Sequence, residues 1–257
     1  MELEKEYLYK SFKELRVKHF AEVVDAGLKD QDPKQQVQTV KLLKKCCEKE
    51  KHERKSSQIA SKIKSAKFGQ VQTVENYDFN YNPSTRRIEK TFLSMHNNIE
   101  KNSLPKAIFV GNTGLGKTHL ARSLGYASCQ KGLSVLFITA ADMATQLLQA
   151  QKLALLEKEI LRLKKPQVLI IDELGYVDFD TQGSQLFFQV ISARHDAGLG
   201  LVVTTNLNFS QFNQIFANEA VATVVVDRMV NEAEIFYLEG DSYRKHQKTM
   251  KNKLKEK

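Results

Sequence analysis

One stretch decides the fold of this chain: Gly111-Asn112-Thr113-Gly114-Leu115-Gly116-Lys117-Thr118. It matches the phosphate-binding loop pattern G-x-x-x-x-G-K-[ST] at every fixed position. The apolar run at 107–110 is typical of a strand, and the residues from His119 onward are typical of a helix. Because a phosphate-binding loop joins a strand to the N-terminus of a helix, this context supports the match. The alternative is a glycine-rich turn before an ordinary helix.

Glycines in such a loop let the backbone bend tightly and point its N–H groups inward at an anion. The N-terminus of the following helix adds a partial positive charge. We expect Lys117 to reach the β- and γ-phosphates of ATP and the Thr118 hydroxyl to hold Mg²⁺. The predicted nucleotide-binding residues are Gly111, Asn112, Thr113, Gly114, Leu115, Gly116, Lys117, Thr118 and His119.

Two acidic residues follow another predicted strand. The apolar run at 168–171 is typical of a strand buried on both faces, and Asp172 and Glu173 come directly after it. In a phosphate-loop protein, an acidic residue at a neighbouring strand end lies near the metal, so we expect Asp172 to hold Mg²⁺, directly or through water. Glu173 can accept a proton from the attacking water and is the predicted general base. The alternative is an acidic pair that caps a helix.

Three further residues are candidates for catalysis. Asn206 follows the predicted strand at 200–205, where its amide could hydrogen-bond the lytic water or the γ-phosphate, the alternative being a turn residue. Arg228 and Arg244 are candidates because an arginine delivered to a γ-phosphate stabilises charge in the transition state. From the residues alone, a surface salt bridge is the favoured interpretation for both arginines.

Strands and helices are predicted to alternate along the chain after residue 105. Beyond the runs already described, a strand is predicted at 134–139, one long helix from there to Lys165, which Pro166 ends, and a helix at 181–197. Thr139 and Asp142 resemble a capping box at the start of the long helix. This order predicts an α/β fold, a parallel sheet with helices on both faces.

The N-terminal part of the chain has a different pattern. Residues 5–67 show helical periodicity, with a break and a helix start signal at Asp30-Gln31-Asp32-Pro33. Residues 68–86 are predicted to form a connector. We therefore expect a small all-helical domain at 1–76, an α/β domain at 77–246 and a basic tail at 247–257.

Composition excludes several classes of protein. No run of 18 apolar residues occurs in the 257 residues, so we expect no membrane span. The first residues are charged and lack the apolar segment of a signal peptide. The cysteines are Cys46, Cys47 and Cys129, a sparse set without metal-ligand spacing, which indicates a reducing compartment. We therefore expect a cytoplasmic protein.

The net charge of +9 is concentrated at the two ends of the chain. Residues 1–76 carry 17 Lys and Arg against 12 Asp and Glu, and residues 241–257 carry 7 against 2. Residues 77–240 are nearly neutral, with 15 against 16. Basic ends favour an anionic partner, most simply nucleic acid, and the alternative is a lysine-rich surface that only aids solubility.

The order of these motifs resembles the AAA+ ATPases, and their details resemble the IstB/DnaC branch, IstB most of all. The resemblance covers residues 75–246 well and the helical N-terminal part only loosely. The Asp-Glu-Leu-Gly-Tyr stretch and the Gly-Asp-Ser-Tyr-Arg ending are the most specific parts of it. The segments that carry it are 111–121, Leu169-Ile170-Ile171-Asp172-Glu173-Leu174-Gly175-Tyr176, Thr204-Thr205-Asn206, Asp227-Arg228-Met229 and Asp241-Ser242-Tyr243-Arg244.

The resemblance implies a role for each matched residue. Lys117 and Thr118 match Walker A, Asp172 and Glu173 match Walker B, and Asn206 matches sensor 1. Arg228 matches the arginine finger, which acts on the nucleotide of a neighbouring subunit. Arg244 matches the sensor 2 arginine, which acts in its own subunit. An ATPase that forms an ATP-dependent homo-oligomer is therefore implied, with ATP and Mg²⁺ bound at the site.

IstB-like proteins are helper ATPases of insertion-sequence transposition, which assemble on duplex DNA and recruit and activate a transposase. Their DnaC-like relatives load the replicative helicase and favour single-stranded DNA, which is the alternative function here. Both use a helical N-terminal domain to hold the partner, which implies that role for residues 1–76. The resemblance also points to basic residues on the long helix as DNA contacts, the alternative being a solvated helix face: Lys152, Lys158, Arg162, Lys164 and Lys165.

A third hypothesis is that the chain is a small phosphate-loop kinase. It predicts phosphoryl transfer to a metabolite by a self-sufficient monomer. It ranks last because the sequence has no evident acceptor-binding lid and because Arg228 would have no task in a monomer.

Overall fold

The computed structural model describes residues 2–246, without the side chain of Leu3, so the predicted basic tail at 247–257 lies outside the described residues. The chain divides into two compact units, Met1–Ser61 and Lys62–Lys257. The division falls within a helix, Pro33–Ser65. None of the described helices is long and apolar enough to cross a membrane.

The first unit is helical, as predicted. It contains α1 (Glu2–Glu14), α2 (Phe20–Lys29) and most of α3 (Pro33–Ser65). The predicted break before Pro33 is confirmed, because the Asp32 carboxylate accepts the N–H groups of Lys34 and Gln35 at 2.8 and 2.9 Å and so caps α3. A small apolar core holds the three helices, formed by Leu8, Phe12, Leu15, Leu28, Val40 and Cys47.

The second unit is built on a parallel sheet. Its described strands are β1 (Lys106–Gly111), β2 (Val135–Thr139), β3 (Val168–Asp172), β4 (Gly200–Thr205) and β5 (Glu234–Leu238), in the order β2-β3-β4-β1-β5. Each neighbouring pair is parallel. The helices of this unit are α4 (Pro83–Asn97), α5 (Lys117–Gln130), α6 (Ala140–Lys152), α7 (Leu156–Lys164), α8 (Thr181–Asp196) and α9 (Glu219–Val230).

Both faces of the sheet are covered, because successive residues of a strand point to opposite faces and both sets are buried. In β1, Ile108 and Val110 belong to one apolar core, while Ala107 and Phe109 belong to another. All of β3 is buried. The fully apolar strands of the sequence therefore have the pattern of a sheet between two helical layers, and the predicted α/β fold is confirmed.

The predicted single helix from Thr139 to Lys165 is wrong, because two helices occupy this segment. The capping prediction at its start is confirmed, since Thr139 Oγ1 accepts from the Asp142 N–H at 3.1 Å. However, α6 ends at Lys152, and Ala154 adopts φ +55°. The Leu155 N–H bonds back to the Ala150 carbonyl at 2.7 Å, which is typical of a helix end with a left-handed residue. Glycine is the usual residue at such a helix end, so an alanine at position 154 does not reveal the end in the sequence.

Candidate nucleotide-binding site

A cavity of about 590 Å³ lies at the carboxyl ends of the central strands. The strand order places β4 between β1 and β3, so their carboxyl ends meet at one edge of the sheet. In an open parallel sheet this edge is where ligands bind. The predicted residues that line the cavity are Thr113, Gly114, Leu115, Gly116, Lys117, Thr118, His119, Asp172, Glu173, Asn206 and Arg244.

The phosphate-binding loop is fixed from outside by Tyr77. Its hydroxyl donates to the Leu115 carbonyl at 3.0 Å, and burial raises the Tyr77 pKa, which keeps the hydroxyl protonated. Gly116 begins α5 with φ +89°, and a Cβ there would stand 2.5 Å from the Tyr77 ring. The sequence pattern requires glycine at 116, and the structure gives the reason: a left-handed backbone pressed against an aromatic ring.

Lys117 lies folded onto the loop that carries it. Its Nζ donates to the carbonyls of Gly111 and Asn112 at 2.6 and 2.9 Å. These two predicted residues are therefore linked to the site through Lys117. Burial lowers the Lys117 pKa, while the carboxylates of Asp172 and Glu173 oppose that shift. The ammonium group is thus half-buried beside the cavity, where it can turn from carbonyl oxygens to phosphate oxygens.

Asp172 is the most firmly held acid of the site. It is 4% exposed, and its Oδ1 accepts from the hydroxyls of Thr118 at 2.9 Å and Thr204 at 2.5 Å. Thr204 in turn accepts the Glu173 N–H at 3.0 Å. The prediction included Thr118 and Asp172 as metal ligands but gave no role to Thr204, whose hydroxyl fixes both acidic residues.

Glu173 occupies a sharp bend at the end of β3. Its backbone is left-handed, with φ +62°, and its exposed side chain lines the cavity. A non-glycine residue in this region carries strain that is typical of functional sites. Three residues on, the hydroxyl of Tyr176 lies 2.6 Å from Thr113 Oγ1, so the segment after β3 reaches the phosphate-binding loop.

Asn206 lines the cavity, and its side-chain oxygen is buried beside Gly175. Its Oδ1 has no hydrogen-bond partner among the described residues. A buried acceptor without a partner costs about 1–3 kcal/mol, so a turn of the Asn206 amide toward the cavity, where a ligand or water could donate to it, would recover this energy. Gly175 permits the arrangement, because a Cβ at that position would stand 1.9 Å from Asn206 Oδ1.

Arg244 reaches the cavity because its segment is tied to the phosphate-binding loop. The Tyr243 N–H donates to the Gly114 carbonyl at 3.0 Å. Asn82 holds the same segment by a pair of 3.1 Å hydrogen bonds to the backbone of Asp241. The positive charge of Arg244 contributes to the lowered pKa of Lys117, which agrees with two cations at one end of the cavity.

Arg228 does not join the other predicted residues. It lies on α9, is 34% exposed on its side chain, and donates to His195 Nδ1 at 2.9 Å and Asp196 Oδ1 at 3.0 Å. It is absent from the cavity lining. The structure therefore brings together every predicted catalytic side chain except Arg228, and its role as an arginine finger stays a prediction.

The end of the cavity away from Asp172 is lined by the segment before α4, which the prediction treated as a connector. His119 Nε2 lies 2.7 Å from the Thr73 carbonyl, and its ring contacts the Tyr77 ring edge-on at 5.3 Å. Other residues that line this end are Gln70, Val71, Gln72, Asn76, Asp78, Tyr81 and Arg122. Among these residues, the aromatic rings of Tyr77 and Tyr81 are the groups suited to contact a nucleoside.

The protein side chains of this site would hold a metal ion only together with the phosphates of a nucleotide. Among residues 2–246 no group of three or more His, Cys, Asp and Glu side chains could hold an ion by itself. Mg²⁺ is usually held by one or two protein oxygens together with substrate phosphates and water. Thr118 Oγ1 and Asp172 Oδ1, already 2.9 Å apart, are such a pair of oxygens.

A larger and more open groove, of about 1100 Å³, lies at the opposite edge of the sheet. Residues from the starts of β1 and β5, such as Lys106 and Glu234, line it together with Lys90 of α4. It has no phosphate-binding loop and none of the predicted catalytic residues. Size therefore does not identify the functional cavity, and the chemistry of the lining does.

Comparison with known families identifies relatives over most of the chain. The family model described as "IstB-like ATP binding protein" matches residues 10–251. The insertion sequence IS5376 putative ATP-binding protein of Geobacillus stearothermophilus is 35% identical over 204 residues, which are 77% of this chain and 78% of the relative. The corresponding IS232 protein of Bacillus thuringiensis subsp. berliner is 32% identical over 232 residues, 88% and 87% of the two chains.

Solved structures agree on the fold. The DnaC helicase loader superposes with a TM-score of 0.58 at 21% identity, covering 65% of this chain and 96% of that one. AMPPCP-bound DnaA from Aquifex aeolicus gives 0.56 at 18% identity, covering 72% and 55%. At these identities the likeness concerns the fold alone.

Proposed function

The chain belongs to the family of IstB-like ATP-binding proteins, and we propose that it is an ATPase that assembles on duplex DNA and recruits the transposase of an insertion sequence. The observation that carries the proposal is the grouping of the predicted residues. Lys117, Asp172, Glu173, Asn206 and Arg244 share one cavity, while Arg228 lies outside it. One subunit thus offers a site for ATP and, elsewhere, an arginine for another subunit.

ATP binding is supported by the phosphate-binding loop. Backbone N–H groups of the loop and the N-terminus of α5 would surround the β-phosphate, and Lys117 would turn from the carbonyls of Gly111 and Asn112 to the phosphate oxygens. Thr118 and Asp172 would hold Mg²⁺, which neutralises phosphate charge when bound. The segment with Tyr77 and Tyr81 would contact the nucleoside.

Hydrolysis needs a base, a positioned water and cations near the γ-phosphate. The exposed carboxylate of Glu173 is the base in this proposal, and it accepts a proton from the attacking water. Asn206, whose oxygen has no hydrogen-bond partner among the described residues, orients that water through its amide oxygen or the γ-phosphate through its amide nitrogen. Lys117 and Arg244 stabilise the negative charge that develops on the leaving group and the transferred phosphoryl group.

Arg228 completes the site of a neighbouring subunit in this proposal. An arginine delivered from outside to the transition state is worth about 10³–10⁵ in turnover in phosphoryl-transfer enzymes. Because Arg228 lies away from the cavity of its own chain, hydrolysis would depend on assembly. Nucleotide binding and formation of a homo-oligomer would then be coupled.

Duplex DNA and a transposase are the proposed partners. Support comes from the relatives, which are named insertion-sequence ATP-binding proteins, and from the basic ends of the chain. The helical residues 1–76 are the proposed partner-binding part. On α6 and α7, Lys152 and Lys158 are exposed, whereas Arg162 is held by Glu159 and Gln146 at 2.6 Å and is a weaker candidate for DNA contact.

A mixing experiment tests the shared active site. R228A subunits keep their own cavity but lack the arginine, and E173Q subunits keep the arginine but lack the base. Each variant alone is expected to be nearly inactive, and their mixture is expected to recover ATP hydrolysis, because E173Q subunits supply Arg228 to R228A sites. A mixture that co-assembles and stays inactive would contradict the proposal that the active site is shared between subunits.

A further inference from the structure

His195 and Asp196, at the C-terminal end of α8, hold the guanidinium group of Arg228. The two contacts are 2.9 Å to His195 Nδ1 and 3.0 Å to Asp196 Oδ1, both from the same Nη1 atom. The Asp196 side chain is 65% exposed and that of His195 only 25%, so the imidazole is the more sheltered acceptor. On its other side, Asn231 Nδ2 lies 2.7 Å from His195 Nε2.

The end of α8 is itself firmly anchored by the neighbouring arginine. Arg194 is 1% exposed, and its guanidinium donates to the carbonyls of Leu163 at 2.8 Å and Gly200 at 2.6 Å. These bonds tie the end of α8 to the end of α7 and the start of β4. His195 therefore stands on a fixed backbone, and its ring offers Arg228 a defined place.

We propose that His195, in its neutral form, is a positioning residue that holds Arg228 ready for the active site of the neighbouring subunit. The inference rests on the proposed role of Arg228 between subunits. His195 is not among the residues that line the nucleotide cavity of its own chain, so in this proposal it acts through Arg228. Misplacing a group by about 1 Å can cost about 100-fold in rate, which is the scale on which such positioning matters.

The hydrogen-bond pattern requires the neutral imidazole. Nδ1 can accept from Arg228 only while it carries no proton, so the ring hydrogen is then on Nε2. The amide nitrogen of Asn231 faces Nε2 at 2.7 Å, so Asn231 would accept that hydrogen only after its amide rotates by 180°.

Protonation of His195 would reverse the arrangement. Nδ1–H would become a donor, and the Asp196 carboxylate, 3.3 Å away, would accept from it. Arg228 would lose one acceptor and share the other with a second cation. The other charged groups that face this cluster are Glu232, whose carboxylate interacts with His195, and Lys106, which pairs with Glu232 at 2.5 Å.

The mixing experiment can be extended to test this proposal. R228A subunits are mixed with one of three donor subunits, E173Q, E173Q/H195A or E173Q/H195N. The ATPase rate of each mixture then measures how well the donor supplies Arg228 to the R228A sites. Asparagine keeps an acceptor near the Nδ1 position, so E173Q/H195N should support hydrolysis within about threefold of E173Q. E173Q/H195A should support about 10- to 100-fold less. E173Q/H96N, altered at a histidine on α4, is the matched donor control and should equal E173Q.

The outcomes separate the two proposals. Equal support from E173Q and E173Q/H195A, with equal co-assembly, would overturn the positioning role and leave the shared site intact. No support from E173Q itself would overturn the shared site and this inference with it. A second readout covers a donor that folds poorly: in otherwise wild-type chains, H195N should retain the ATPase rate that H195A loses, and an equal loss in both variants would overturn the proposal.

Discussion

The hydroxyl of Tyr176 lies 2.6 Å from the hydroxyl of Thr113 and joins the segment after β3 to the phosphate-binding loop. Both residues line the nucleotide cavity, so the bond spans its mouth at the phosphate end. A bond between two exposed hydroxyls contributes little to stability, about 1 kcal/mol or less. Its consequence is expected in nucleotide binding, because it fixes the distance between the loop and the acidic strand end.

Removing this hydroxyl should therefore change affinity more than folding. For Y176F we expect a KM for ATP raised about 3- to 10-fold, with a melting temperature within a few degrees of wild type. Steady-state ATPase kinetics and thermal melting measure both. Y237F, at an exposed tyrosine of β5, is the matched control and should change neither. An unchanged KM in Y176F would show that the bond has no role in binding.

Thr204 should matter to both stability and turnover. Valine has nearly the same shape as threonine but no hydroxyl. Asp172 Oδ1 would lose the hydrogen bond that it accepts from Thr204, and the Glu173 N–H would lose its acceptor. We expect T204V to lower the free energy of unfolding by about 1–3 kcal/mol and to lower kcat for ATP hydrolysis. Denaturant unfolding and ATPase rates test this, and T204S, which keeps the hydroxyl, should retain most of both. A fully active T204V protein would contradict the assignment.

Gly175 should be intolerant of a side chain because of Asn206. A Cβ at 175 would stand 1.9 Å from Asn206 Oδ1, so G175A has to move the amide out of place. We expect a fall of kcat by about 10-fold or more with a smaller change in KM, since the amide acts on the reacting groups. G27A, at a helical glycine with open space around it, is the control and should be neutral or slightly stabilising. Normal turnover in G175A would argue against Asn206 as a catalytic group.

The cysteines offer a test of the fold. Cys46 is exposed, whereas Cys47 and Cys129 are buried, and burial raises the pKa of the Cys129 thiol to about 11. In the native protein at pH 8, we expect fast labelling of Cys46 alone by a thiol reagent, because the thiolate is the reactive form. All three should react in denaturant. Fast native labelling of Cys129 would contradict the packing of α5 against the sheet.

The sign of the pH effect at Cys129 follows from the same shift. The thiol gives up its proton more readily in the unfolded chain than in the folded one, so the folded state binds more protons above about pH 9. Stability should therefore fall as pH rises from about 9 to 11. The C129A variant should lose this part of the pH dependence, as measured by denaturant unfolding at several pH values.

Sequence reasoning predicted the parts of the fold that follow from local patterns. The phosphate-binding loop and the fully apolar run at 168–171 are strong signals, because a strand that is apolar throughout is typical of burial on both faces. The break near Ala154 gave no signal, since alanine rarely adopts positive φ. Strand β5 was not predicted. It is an edge strand in which Glu234 and Tyr237 are exposed and only Phe236 and Leu238 are buried.

The site was predictable where residues act next to each other in a motif. Lys117, Thr118, Asp172 and Glu173 belong to two short patterns and meet in one cavity. Tyr77, Thr204 and His195 act through contacts between residues 38, 32 and 33 positions apart in sequence. No local pattern encodes such contacts, so their roles become visible only when the sheet order and the helix packing are known.

The central claim is that ATP and duplex DNA drive assembly of subunits that complete one another's sites. Sedimentation of the purified protein with a slowly hydrolysed ATP analogue, against duplex and single-stranded DNA in parallel, tests it most directly. The account predicts large complexes only when nucleotide and duplex DNA are both present, weakened steeply by salt and absent for K117A. A preference for single-stranded DNA would instead favour a helicase loader, and a monomer under every condition would contradict the account.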